Sequence, residues 1–151
     1  MSNSEQINFE EYLDKFGSLT YKNKGVSMMP LLRQDRDLFT LVKKGPERCK
    51  KYDVVLYKDG LGRYILHRIV KVKPDGYVIR GDNNYADEFR TDEEILGVMT
   101  AFIRDGRTHT VKETGYRLYS ILRCGFYPVR ALYRKVRHFG GKTLRKLGLR
   151  K

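Results

Sequence analysis

The chain has 151 residues, about one domain at the usual roughly 100–200 residues each, and is long enough to bury a core without disulfides or metals. Hydrophobic residues make up 40% and charged residues 32%, which excludes a wholly disordered chain. Two cysteines, Cys49 and Cys124, lie far apart and form no CxxC pair, which argues against a disulfide framework and a four-ligand zinc site.

The net charge of +13 is concentrated at one end. Residues 1–115 hold 20 Lys/Arg against 18 Asp/Glu, whereas residues 116–151 hold 11 Lys/Arg and no acid. A nearly neutral body therefore carries a basic tail that seeks an anionic partner or is simply solvated. Residues 1–6 are polar and read as a disordered start, with no signal peptide. The longest apolar run, Ile95–Ile103, is nine residues, whereas a spanning helix needs about 20. The expected location is the cytoplasm, with a peripheral place on the inner membrane face open to it.

Phe9, Tyr12, Leu13 and Phe16 recur at helical spacing, and Gly17 fits a helix stop. From Leu19 the texture becomes β-prone, with runs at Asp37–Lys43, Asp53–Tyr57, Tyr64–Val72 and Tyr77–Arg80. Asp59-Gly60, Asp75-Gly76 and Asp105-Gly106 predict three hairpins, the last flanked by Ile95–Ile103 and Thr108–Val111. No strand–helix alternation occurs, so the body is an antiparallel β domain. Past Gly115 the helical period returns with Val129, Leu132, Tyr133 and Val136. Pro128 should break or kink this stretch, and Gly140-Gly141 should interrupt it again. The last ten residues are basic with Leu144, Leu147 and Leu149 interleaved. The chain divides into an N-terminal segment (1–18), a β domain (19–112) and a basic amphipathic tail (113–151).

Three places carry chemistry. Ser27 lies in Gly25-Val-Ser-Met-Met-Pro, where a serine beside glycine and proline is usually just a turn. His67 stands inside the apolar run Ile65–Val70, where a histidine is more often structural, while His109 and His138 sit in polar surroundings. Gly81-Asp82-Asn83-Asn84 follows a strand as a turn cluster, and the acids beyond it lack calcium-loop spacing.

Together, Ser27-Met-x-Pro30, Asp53-Val-Val, His67-Arg-Ile-Val and Gly81-Asp-Asn-Asn resemble, in that order, the signal peptidase and LexA-type repressor superfamily of serine proteases. The resemblance covers roughly residues 20–105. It implies a signal-peptidase-like fold of coiled antiparallel sheets for the mainly β body, to which the helical spacings add a short N-terminal helix and a basic helical tail. It implies Ser27 as nucleophile and His67 as base, closer to the Ser–His endoplasmic-reticulum and archaeal type than to the Ser–Lys type. A serine hydroxyl needs such a base at neutral pH, and imidazole titrates near 6.5.

Asp82 is the candidate to orient His67. If Asp75-Gly76 is a two-residue turn, position 67 faces 84 and Asp82 is its diagonal neighbour; a bulged turn points Asp82 away. Asp87 and Glu88 are the fallback, because the endoplasmic-reticulum type carries a second acid beyond its box. Gly25, Ser27 and Met28 form the expected oxyanion and substrate-binding stretch, with the Ser27 backbone N–H as first donor and glycine where many signal peptidases have a serine.

Tyr52 and Leu31 replace the usual glycine and threonine of the superfamily, and no stretch of this sequence reads as its membrane anchor. A self-cleaving repressor is disfavoured: about 18 residues precede the body, too few for a helix-turn-helix domain. The expected function is a serine endopeptidase that removes a leader or signal segment. Its peptide or protein substrate would be bound as an added strand, with no metal or organic cofactor. The alternative is an inactive peptidase-fold binding module. The tail, residues 116–151, suits an anionic membrane surface; nucleic acid is the weaker fit, and packing on the body is a third reading.

Overall fold

The computed structural model describes residues 8–146, with side chains through residue 138. The polar start at residues 1–6 and the leucines at 147 and 149 lie outside the described residues, as does the side chain of Leu144.

Helix α1 (Phe9–Phe16) forms where the spacing predicts it. The Asn8 side chain caps its start by accepting from the Glu10 and Glu11 backbone N–H groups. Gly17 ends it in the left-handed region at φ 72°, its N–H donating to the Leu13 carbonyl over 2.8 Å. Phe9 and Leu13 enter the core, while Tyr12 and Phe16 remain exposed.

Eight strands follow: β1 (Ser18–Lys22), β2 (Leu38–Lys43), β3 (Val54–Lys58), β4 (Tyr64–Lys73), β5 (Gly76–Arg80), β6 (Glu88–Arg90), β7 (Ile95–Arg104) and β8 (Arg107–Thr110). They form one antiparallel sheet in the order β1-β2-β7-β3-β4-β5-β6, with β8 paired to β7. The mainly β antiparallel architecture agrees with the sequence. Strands β1 and β6, at the two ends of the order, had no counterpart among the predicted elements.

The Asp105-Gly106 turn is a two-residue loop with both φ values positive (49° and 76°), the geometry that suits the twist of a hairpin. Register slips between Thr40 and Leu41, between Leu56 and Tyr57, and between Ile69 and Lys71 bend the sheet. Strand β3 is buried on both faces. Val54 and Leu56 join a core with Phe9, Leu13, Met28 and Phe102; Val55 and Tyr57 join a second core with Ile69, Tyr77 and Ile79.

Tyr52, where the resemblance expects glycine, has φ 80°. Its N–H donates to the Ile69 carbonyl and its carbonyl accepts from Arg68, which fixes the peptide there. Tyr52→Gly is expected to raise stability by about 0.5–1 kcal/mol. That is roughly 1–2 kcal/mol of left-handed strain removed, less the entropy a glycine brings to the unfolded chain. The urea midpoint measures it.

Helices α2 (Thr114–Gly125) and α3 (Tyr127–Lys146) complete the described chain. Pro128 falls in the first turn of α3, where its missing N–H has no helical partner to lose, so the break lies just before it. Gly140-Gly141 does not interrupt α3, contrary to expectation. Glycine weakens a helix by about 1 kcal/mol but keeps its N–H, so the ladder continues. Among the described residues no helix is long and apolar enough to cross a membrane.

Candidate active site

Ser27 lies in the long connection between β1 and β2. The connection is pinned from below by Met28, Leu31 and Leu32, all buried. It is also tied by the buried Asn23, whose side-chain amide donates to the Gly25 and Leu32 carbonyls. Fully buried Asp37 accepts from the Arg33 backbone and side chain and from Arg104. Burial alone would raise the Asp37 carboxyl, but these hydrogen bonds outweigh it and hold it below the ordinary carboxylate range. Arg104 also donates to the Pro30 and Leu31 carbonyls, closing the base of the turn.

The Met29 N–H donates to the Val26 carbonyl, so Val26–Met29 is a turn with half-buried Ser27 near its apex. Among the described residues the Ser27 hydroxyl has no hydrogen-bond partner, and the Ser27 and Met28 N–H groups have no acceptor. Two consecutive free N–H groups beside a serine hydroxyl are what an oxyanion needs. The Met28 side chain itself points into the core, so only its backbone is available to a substrate.

The Gly81–Asn84 box closes over this turn. The Asn83 N–H donates to the Ser27 carbonyl (2.7 Å) and its side chain to the Val26 carbonyl (3.3 Å). Gly81 is the spacer: a Cβ there would lie 2.7 Å from the Ser27 carbonyl oxygen and 3.0 Å from His67 Nε2. Only hydrogen fits between the serine turn and the imidazole.

His67 is buried on β4, beside Val55 of β3. Tyr57 is its diagonal neighbour on the same face, with the hydroxyl 3.1 Å from Nδ1. Tyr57 donates to Glu88 Oε2 (3.0 Å), and Glu88 Oε1 lies 3.5 Å from Nδ1. These contacts fix the direction of every proton. A carboxylate only accepts, so Tyr57 gives it its proton and its oxygen accepts from Nδ1–H. Nε2 then carries the lone pair, which agrees with the Asn84 amide nitrogen 3.3 Å away. Burial is the main influence on the ring and pushes its pKa below 6.5, against the pull of Glu88 and Asp82.

Asp82 does not touch His67. Its carboxylate takes two hydrogen bonds from Arg68 (2.7 and 2.8 Å) and one from Tyr119 (2.9 Å). The register is the cause. Pro74-Asp75 is the actual two-residue turn, and the β4 bulge between Ile69 and Lys71 sets Arg68 opposite Arg80. Asp82 therefore falls two places along from Arg68's partner, on the face of Arg68. The carboxylate beside Nδ1 is Glu88, one of the two fallback acids. Asp87 instead pairs with Arg80.

Arg68 is 0% exposed, and its remaining donors reach the Tyr52 carbonyl, the Tyr116 hydroxyl and Ser120 Oγ. The Asp82 carbonyl accepts from Arg123 (2.7 and 3.0 Å) and Arg130 (3.2 Å). The tail helices are thus fastened to the box through its backbone. The sequence assigns no site role to Tyr57, Arg68 or the α2 residues, although Arg68 stands in the His67-Arg-Ile-Val motif and packing of the tail on the body is one of its readings. Tyr57 looks like ordinary strand filler, and only the β3–β4 register reveals that it shares the face of His67.

A cleft of about 150 Å³ opens beside Ser27. Its walls include Tyr21, Lys24 and Gly25 on one side and Tyr64, Ile65 and Leu66 of β4 on the other. Strand β1 borders it with one edge unpaired by any described strand. Among the described residues no cluster of His, Cys, Asp and Glu could hold a metal ion. No protein-family model matches the chain, and no curated protein matches it.

Proposed function

We propose that the chain is a serine endopeptidase of the signal-peptidase-like type, with Ser27 as nucleophile and His67 as base. One observation carries this reading: the directed hydrogen-bond chain Glu88–Tyr57–His67, which leaves Nε2 as an acceptor beside the serine turn and its two free N–H groups. The left-handed Tyr52, at a position where the superfamily has glycine, also supports the reading.

In the first step Ser27 Oγ attacks the scissile carbonyl while Nε2 takes its proton. The developing oxyanion meets the Ser27 and Met28 N–H groups. The imidazolium, steadied by Tyr57 and Glu88, then protonates the leaving amine as the carbon–nitrogen bond breaks. Water, deprotonated by Nε2, attacks the ester and releases the acid and Ser27. In the free protein the serine–histidine hydrogen bond is not formed; such bonds commonly tighten only with substrate bound. An extended peptide enters along the free edge of β1, with one side chain in the cleft.

The test is mass-spectrometric cleavage profiling of a diverse peptide library with wild type and Ser27→Ala. Cuts present only with wild type are the expected result. No Ser27-dependent cut across the library returns the chain to the reading of an inactive peptidase-fold binding module.

A further inference from the structure

Helices α2 and α3 have two unlike faces. The inner face is occupied: Tyr116, Tyr119 and Ser120 pack at Arg68 and Asp82, Arg123 and Arg130 hold the Asp82 carbonyl, and Tyr127 donates to the Tyr85 carbonyl. The outer face carries Leu118, Ile121, Leu122 and Phe126, then Val129, Leu132, Tyr133 and Val136, each 45–67% exposed. Spacings of three and four keep them in one stripe across both helices. Exposed Arg117, Lys135 and Arg137 border it. From residue 116 onward the sequence holds 11 Lys/Arg and no acid.

We propose that this face docks in the headgroup boundary of an anionic bilayer, with α2 and α3 lying in the membrane plane. A contiguous apolar stripe of this extent is unusual on a free surface. Its composition selects the occupant. Six of the eight side chains are branched aliphatics, which enter acyl chains but give nucleobases little to stack on. A second copy fits poorly, because it would bring two strongly cationic, acid-free faces together. Apolar side chains bordered by cations on an acid-free tail complement anionic headgroups over acyl chains. The inference stands apart from the peptidase reading, since none of its residues takes part in the chemistry.

The test uses the full chain with vesicles of phosphatidylcholine alone and of an equimolar mixture with phosphatidylglycerol. Sedimentation is expected with the mixture, weakened by salt, and about tenfold less with phosphatidylcholine alone. The triple change Leu132→Ser, Tyr133→Ser and Val136→Ser should lower binding by about tenfold while circular dichroism and melting temperature stay near wild type. The sequence contains no tryptophan, so Leu132→Trp gives a single reporter whose emission should shift to the blue on the mixed vesicles. Ser27→Ala should bind as wild type does, which separates failure here from failure of the peptidase reading. Unchanged binding by the triple variant, or no binding of wild type to the mixture, overturns the proposal. So does a dimer that the triple variant abolishes, or an oligonucleotide that displaces the vesicles.

Discussion

Glu88→Gln is expected to slow cleavage by about 10²–10³-fold, within the range usual for general acid–base contributions. The substitution preserves size and leaves an acceptor for Tyr57, but removes the charge that steadies the imidazolium. Tyr57→Phe should cost less, because Glu88 Oε1 is already 3.5 Å from Nδ1 and can close on it directly. The pH profile separates an orienting role from a merely structural one. In the proposed mechanism His67 acts as the neutral base, so kcat/KM should fall as the solution is acidified through its pKa. Burial places that limb below pH 6.5. Glu88 favours the protonated ring, so Glu88→Gln should move the limb to still lower pH. A limb unmoved in Glu88→Gln but displaced in Asp82→Asn would restore Asp82 as the orienting acid.

Arg68→Met is expected to destabilise the fold by about 3–5 kcal/mol, the usual cost of breaking a buried pair by removing one partner. The Asp82 carboxyl would be left 2% exposed, with the Tyr119 hydroxyl as its one remaining hydrogen-bond partner. Small domains have about 5–15 kcal/mol in total, so this variant is marginal at room temperature. The double change Arg68→Met with Asp82→Leu should recover most of the loss, because two apolar groups leave no orphaned charge. Urea unfolding of the two variants measures the difference. Equal instability in both would show that the helix contacts of Arg68, to Tyr116 and Ser120, outweigh the ion pair.

Local patterns made part of this molecule legible. Helix α1 followed from four apolar residues and Gly17, and the Asp105-Gly106 hairpin from the φ values its residues tolerate. Ser27, His67 and the box stood out because each lies in a short, self-contained motif. The partner of His67 did not, because it depends on pairing between distant strands. Glu88 and Asp82 are both acids at the right distance in sequence, and only register decides between them. Tyr57 is invisible for the same reason. Strand β6, three residues long and reading Glu-Phe-Arg, has too little pattern to announce itself. Gly140-Gly141 misled because propensity is a weak prior once a helix is otherwise formed.

The bulge at Val70 has a genetic corollary. Were β4 to run on from the Pro74-Asp75 turn without it, the pairing of Val72 with Tyr77 would carry through to set position 67 opposite 82. Asp82 would then fall on the face of His67, and Arg68 would lose its counter-ion. The loss of the Val70 codon would leave Arg68 opposite Arg80, whereas the gain of one codon there, with the bulge kept to one residue, would set Ile69 opposite Arg80, bring Asp82 beside His67 and leave a buried guanidinium unpaired. This short stretch therefore has a reading frame of its own, in which parity, more than composition, assigns the two carboxylates their work.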